Sequence, residues 1–65
     1  MNNIIKELRK SQRMSQEDLA RLCNVSRQTI NAIENNKYDP TLKLSFRLAH
    51  HLNTTVDQLF LFKEE

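Results

Sequence analysis

The chain has 65 residues, 38% of them hydrophobic and 28% charged, with a formal net charge of +2. That length allows one domain with one small core, and the composition suits a compact globule rather than a disordered chain. One cysteine, Cys23, excludes an internal disulfide framework, and the two histidines and that cysteine have no zinc-ligand spacing. No apolar run approaches the roughly 18 residues that span a bilayer, and the start lacks a signal-peptide core, so a cytoplasmic location is expected. The mild positive charge permits a nucleic-acid partner without demanding one.

Taken in order, residues 2 to about 12 read as a first helix, with Ile5, Leu8 and Ile4 on its inward side and Lys6, Lys10 and Arg13 solvated. Ser15 is a good N-cap, and Asp18 three residues on completes a capping-box pattern. A second helix then runs from Gln16 to about Cys23 and buries Leu19, Ala20 and Cys23. Glu17 and Asp18 lie in its first turn, where the helix dipole favours negative charge. Asn24 and Val25 make a turn, and Ser26 caps a third helix. At the helical period, Ile30 and Ile33 share one side of that helix with Thr29, while Arg27, Gln28, Asn31, Ala32 and Asn35 crowd the other. The crowded side carries amides, a guanidinium and a methyl, which are the groups that pair with base edges. A short helix, a tight turn and a helix with a polar outer face make a helix-turn-helix.

Lys37-Tyr38-Asp39-Pro40 reads as a loop, and either Asp39 or Thr41 caps a fourth helix that extends to Leu52. Thr55-Val56-Asp57-Gln58 fits a capping box that opens a short fifth helix to about Phe60. The chain contains no glycine. Asparagine is the usual substitute where φ must be positive, and Asn24, Asn36 and Asn53 each stand where an apolar segment ends.

The segments Gln16-Glu17-Asp18-Leu19-Ala20, Asn24 to Ile30 and Ile33-Glu34-Asn35-Asn36-Lys37, with Leu48-Ala49, Leu52 and Val56 to Phe60, resemble the Cro/C1-type (XRE) helix-turn-helix family. The resemblance implies an all-α, five-helix, lambda-repressor-like domain, here residues 1–60, followed by a tail, 61–65, that serves dimerisation or forms a strand. It implies a sequence-specific transcriptional regulator, most simply a repressor on double-stranded DNA. It places Arg27, Gln28 and Asn31 at base contacts, with Thr29 and Ala32 offering apolar or backbone contacts. Gln16 matches a residue that bonds a phosphate and braces Gln28. Ser26, Asn35, Asn36, Lys37 and Tyr38 match the backbone-gripping positions. Family members also carry an Arg–Glu pair at the positions of Arg9 and Glu34, which implies a partly buried ion pair tying the first helix to the third.

Other chemistry is poorly supported. Glu17, Asp18 and Asp57 are helix-start residues, and without glycine there is no phosphate-cradling loop. No enzyme, cofactor, metal or small-molecule ligand is expected. An antitoxin-like module that binds another protein is the alternative, but few residues are spare for a toxin-binding segment. Leu42, Leu44, Phe46, Leu48, Ala49 and Leu52 cover an arc of about 200° at about 100° per residue, more than one-sided packing needs. Phe60-Leu61-Phe62 adds a further apolar run. A homodimer through Leu44, Phe60, Leu61 and Phe62 is therefore expected, on an inverted-repeat operator. The tail folding back as a strand beside Asn2 to Ile4 is compatible with it.

Overall fold

The computed structural model describes residues 1–62, so Lys63, Glu64 and Glu65 of the expected tail lie outside the described residues. Along the chain come β1 (Asn2–Asn3), α1 (Ile5–Ser11), α2 (Gln16–Cys23), α3 (Arg27–Glu34), α4 (Leu42–His51), α5 (Val56–Leu59) and β2 (Phe60–Leu61). Ile5, Leu19, Ile30, Ile33, Leu48, Leu52 and Leu59 are fully buried and form one core with Cys23 and Ala49. Val25 is half-buried at the α2–α3 turn and packs against that core. Burial pushes the Cys23 thiol above its ordinary pKa, and the side chain has no exposed surface.

The helix ends explain how a chain without glycine turns so tightly. Asn24, Asn36 and Asn53 adopt left-handed backbone with φ of 59°, 60° and 58°. The residue after each returns its N–H to a carbonyl in the preceding helix: Val25 to Ala20 at 3.0 Å, Lys37 to Ala32 at 2.9 Å, Thr54 to Ala49 at 2.9 Å. This is the Schellman closure, which satisfies carbonyls that a helix end would leave orphaned. Arg13 does the same after α1, with φ 58° and Met14 N–H on Arg9 O at 2.9 Å. Sequence reasoning missed it, because arginine is a poor left-handed residue.

The caps follow the sequence in three cases. Ser15 Oγ accepts from Asp18 N–H, while the Asp18 carboxylate accepts from Ser15 N–H. Ser15, through its backbone N–H first and then through its side chain, holds the Asp18 carboxyl below its ordinary pKa. The sign follows: its contribution to stability is present above the unfolded value and fades as pH falls through the lower folded value. Ser26 caps α3 through Thr29 N–H, and Thr41, not Asp39, caps α4 through Leu44 N–H. Thr55 makes no side-chain cap bond. Instead its neighbour Thr54 reaches Gln58 at 3.3 Å, so the expected capping box at α5 is absent.

The largest departure is at the start. Asn2 and Asn3 pair antiparallel with Leu61 and Phe60, which is the fold-back strand the tail allowed, and so they do not form the first turn of a helix. Asn3 explains the change: its Oδ1 accepts from Ile5 N–H at 3.1 Å, and its Nδ2 donates to Ile33 O at 2.9 Å. An amide that bonds its own backbone two residues on favours a turn over a helix. Ile4 N–H then reaches Leu59 O at 3.0 Å, closing the sheet.

Two residues expected on a dimer face are buried instead. Phe60 is 8% exposed and Leu44 is 7% exposed, so both complete the protomer's own core. Phe46 and Leu42 on α4, with Leu61 and Phe62, keep their apolar surface in solvent.

The backbone at Arg13 generates a test. Arg13→Gly removes the Cβ penalty at a left-handed position, and should raise unfolding stability by about 0.5–1 kcal/mol. A urea titration reads this as a higher midpoint at unchanged slope.

Candidate nucleic-acid interface

The outer side of α3 is built by its inner side. Ile30 and Ile33 are buried, which turns Arg27, Gln28 and Asn31 outward, and all three are exposed. With Gln16 from the start of α2 they line a cleft of about 260 Å³. The first turn of α3 carries no acidic side chain, so nothing offsets the positive end of the helix dipole there. The acidic residues of α2 are partly answered within the helix, Arg21 lying 3.7 Å from Glu17 and 3.9 Å from Asp18.

Beneath that surface lies a buried polar network. Arg9 Nε donates to Glu34 Oε2 at 2.8 Å, and its Nη2 donates to Oε1 at 3.2 Å. The two side chains are 8% and 3% exposed. Arg9 Nη1 donates to Met14 O at 2.9 Å, just before the cap of α2. Gln16 Nε2 donates to Glu34 Oε1 at 3.1 Å. No buried side-chain nitrogen or oxygen among the described residues lacks a hydrogen-bond partner.

Other residues singled out in the sequence are already engaged inside the fold. Ser26 Oγ meets Thr29 Oγ1 at 3.0 Å besides capping α3. Asn35 Nδ2 donates to Asn31 O at 2.8 Å, and Asn36 Nδ2 to Asn2 Oδ1 at 2.9 Å. Lys37 and Tyr38 are exposed beside them, while Ala32 and Thr29 are half-buried. Gln16 is tied to Glu34, a partner the sequence did not suggest. Asn3 and the Met14 carbonyl were also missed. The signal for Asn3 was a pair of asparagines directly ahead of Ile4 and Ile5.

A helix-turn-helix whose second helix turns a guanidinium and two amides to solvent defines a DNA-binding domain. Comparison with known proteins agrees. The HTH_3 family, described as Helix-turn-helix, matches residues 5–59. A protein named an uncharacterized HTH-type transcriptional regulator in Methanocaldococcus jannaschii is 43% identical over 65 residues, covering 100% of this chain and 98% of that one. Another of that description, from Archaeoglobus fulgidus, is 42% identical and covers 100% of this chain and 92% of its own. Among solved structures, the restriction-modification controller protein C.AhdI from Aeromonas hydrophila superposes with a TM-score of 0.79 at 30% identity, covering 86% of this chain and 85% of that one. The chain belongs to the HTH_3 helix-turn-helix family, the Cro/C1 (XRE) type of transcriptional regulator.

The buried network predicts a steep response to a small change. Glu34→Gln keeps the shape but leaves the Arg9 charge without its carboxylate at a site closed to water. It should cost about 3 kcal/mol or more, read as a lower thermal midpoint, and unchanged melting would contradict the expected dependence.

Proposed function

We propose that the chain is a repressor that binds an inverted-repeat operator as a homodimer, with α3 in the major groove and transcription blocked by occupancy. The observation that carries the DNA reading is the cleft where Gln16, Arg27, Gln28 and Asn31 stand together beside the positive end of α3. Arginine pairs with guanine and glutamine or asparagine with adenine in that groove. Thr29 and Ala32 flank the base-reading side chains, and Gln16, Ser26, Asn35, Asn36, Lys37 and Tyr38 form the surface that follows the phosphates. Residues 1–60 serve as the DNA-binding unit and the tail from 61 contributes to self-association.

The homodimer is supported by a row of linked grooves with exposed apolar side chains along them, crossed by the ion pair of the N-terminus with Asp39 at 2.8 Å. Phe46 and Val56 line a depression of about 550 Å³ between α4 and α5. Val56 also lines a groove of about 330 Å³ with Leu42, Phe60 and Met1, and Met1 joins Leu61 and Phe62 in a third. Phe46, Leu42, Leu61 and Phe62 are 59%, 71%, 52% and 73% exposed. So much exposed apolar surface on so small a domain marks an association site. Two-fold symmetry would set the half-sites about 34 Å apart.

Two measurements check this reading. Gln28→Ala should cost on the order of 1–3 kcal/mol on the operator alone, whereas Lys37→Ala should weaken all duplexes and lower the salt slope by about one counterion. Equal loss of affinity on random DNA for Gln28→Ala would remove its base-reading role. Phe46→Glu with Leu61→Glu alters exposed positions only, and should convert a sedimenting dimer to a monomer that protects one half-site. A native chain that sediments as a monomer at micromolar concentration would refute the dimer.

A further inference from the structure

Gln16 stands between two systems, the buried ion pair and the exposed cleft. Its Nε2 donates to Glu34 Oε1, the oxygen that also accepts from Arg9 Nη2. A carboxylate can only accept, so the amide can meet Glu34 through its nitrogen alone. That removes the ambiguity a free glutamine has between its two ends. One N–H is directed at Glu34, and Oε1 with the second N–H is left for the cleft that Gln16 shares with Arg27, Gln28 and Asn31.

Two features make the constraint firm. Glu34 is 3% exposed, so water does not compete for its oxygens, and a hydrogen bond to an ionised partner is roughly twice as strong as a neutral one. Arg9 in turn holds the backbone leading into α2, through Met14 O at 2.9 Å, so the main chain and the side chain of Gln16 are both referred to the same guanidinium.

We propose that Glu34 is a positioning residue for DNA reading: it sets which way the Gln16 amide faces, so that Oε1 is presented as an acceptor toward Arg27 and Gln28 before DNA arrives. The inference rests on the proposed reading of the cleft as the base-contacting surface. The ion pair then has a second role besides holding α1 to α3. An amide fixed in advance loses less freedom on binding than one that must be chosen among rotamers, and an acceptor beside the guanidinium of Arg27 and the amide of Gln28 narrows the geometries those two side chains sample. The effect falls on discrimination between sequences rather than on attraction to phosphate, because Glu34 contributes no positive charge.

The test starts from a duplex selected by the native protein from a randomised pool, with a scrambled duplex as control. Removing both charges together, Arg9→Met with Glu34→Leu, avoids stranding either one, and such replacements of buried pairs commonly preserve folding. Gln16→Ala is made in the native and in the pair-replaced background. The expected result is that Gln16→Ala and the pair replacement each lower the preference for the selected duplex about tenfold, and that combining them lowers it no further, because residues acting through one another are not additive. Affinity for the scrambled duplex should move by no more than about twofold in the pair-replaced protein. A pair-replaced protein that discriminates as well as the native one, or a Gln16→Ala loss of equal size in both backgrounds, overturns the proposal. Failure of the native protein to select any sequence would refute the DNA reading instead. A second measurement needs neither a folded variant nor DNA: nitrogen relaxation of side-chain amides in the native protein should find Gln16 rigid and the exposed Asn31 mobile. A Gln16 amide as mobile as that of Asn31 overturns the proposal.

Discussion

Three separate stretches of chain meet at one carboxylate. Glu34 closes α3, Arg9 belongs to α1, and Gln16 opens α2, and the ion pair with its attached amide fixes their relative placement. A domain of this size has few apolar side chains with which to set the angle between two eight-residue helices, and apolar packing has no direction of its own. Hydrogen bonds to both carboxylate oxygens do have direction. Buried ion pairs are weak as net stabilisers compared with apolar replacements, so the network is better understood as an alignment device. Its cost is contained because no buried side-chain nitrogen or oxygen among the described residues lacks a hydrogen-bond partner.

A second constraint is the absence of glycine. Each helix from α1 to α4 must end within a residue or two and reverse, and the chain does this with left-handed residues that carry a Cβ. Asparagine tolerates this backbone through its short polar side chain, and the three asparagines were readable for that reason. Arg13 was not, since nothing in its chemistry favours positive φ. Its conformation is imposed from both sides: Met14 N–H returns to Arg9 O, and the Met14 carbonyl is held by the Arg9 guanidinium. The turn that sequence reasoning could not see is thus held by the residue most deeply engaged in the buried network.

What else was legible divides along the same line between local and distant causes. Ser15, Ser26 and the α2–α3 pattern act within a few residues, and the sequence sufficed to place them. The β1–β2 pairing joins the two ends of the chain, so no local window contains it. The apolar run Phe60 to Phe62 nevertheless pointed to a fold-back strand beside Asn2 to Ile4, which the pairing bears out. Reading Asn2 and Asn3 as helix followed from an apolar spacing that happens to extend over Ile4. Thr55 shows the converse, a cap pattern without a cap, because a helix of four residues followed directly by a strand is held by its ends rather than by its own first turn. At the interface, the outward side chains of α3 followed from the burial of Ile30 and Ile33. The bond between Gln16 and Glu34 did not, since each residue already had an assigned partner and the sharing of one oxygen depends on how three helices come together.

The wheel of α4 carries the last step. Leu42, Leu44, Phe46 and Leu48 look like one broad apolar surface in sequence, yet Leu44 and Leu48 lie in the core while Leu42 and Phe46 lie in solvent. Burial splits the arc into a part that holds the domain together and a part that is free to meet something else. The free part shares no residue with the cleft around α3. The proposed DNA reading and the proposed self-association therefore depend on different side chains, and substitutions among the exposed apolar residues leave the α3 cleft chemically intact. The coupling that would remain between them is geometric: in the proposed dimer a second copy would fix where two α3 helices stand, while the Arg9–Glu34 pair fixes how α3 stands within its own domain. On that proposal an operator would be read only when both distances, the one within a domain and the one between two copies, match the groove.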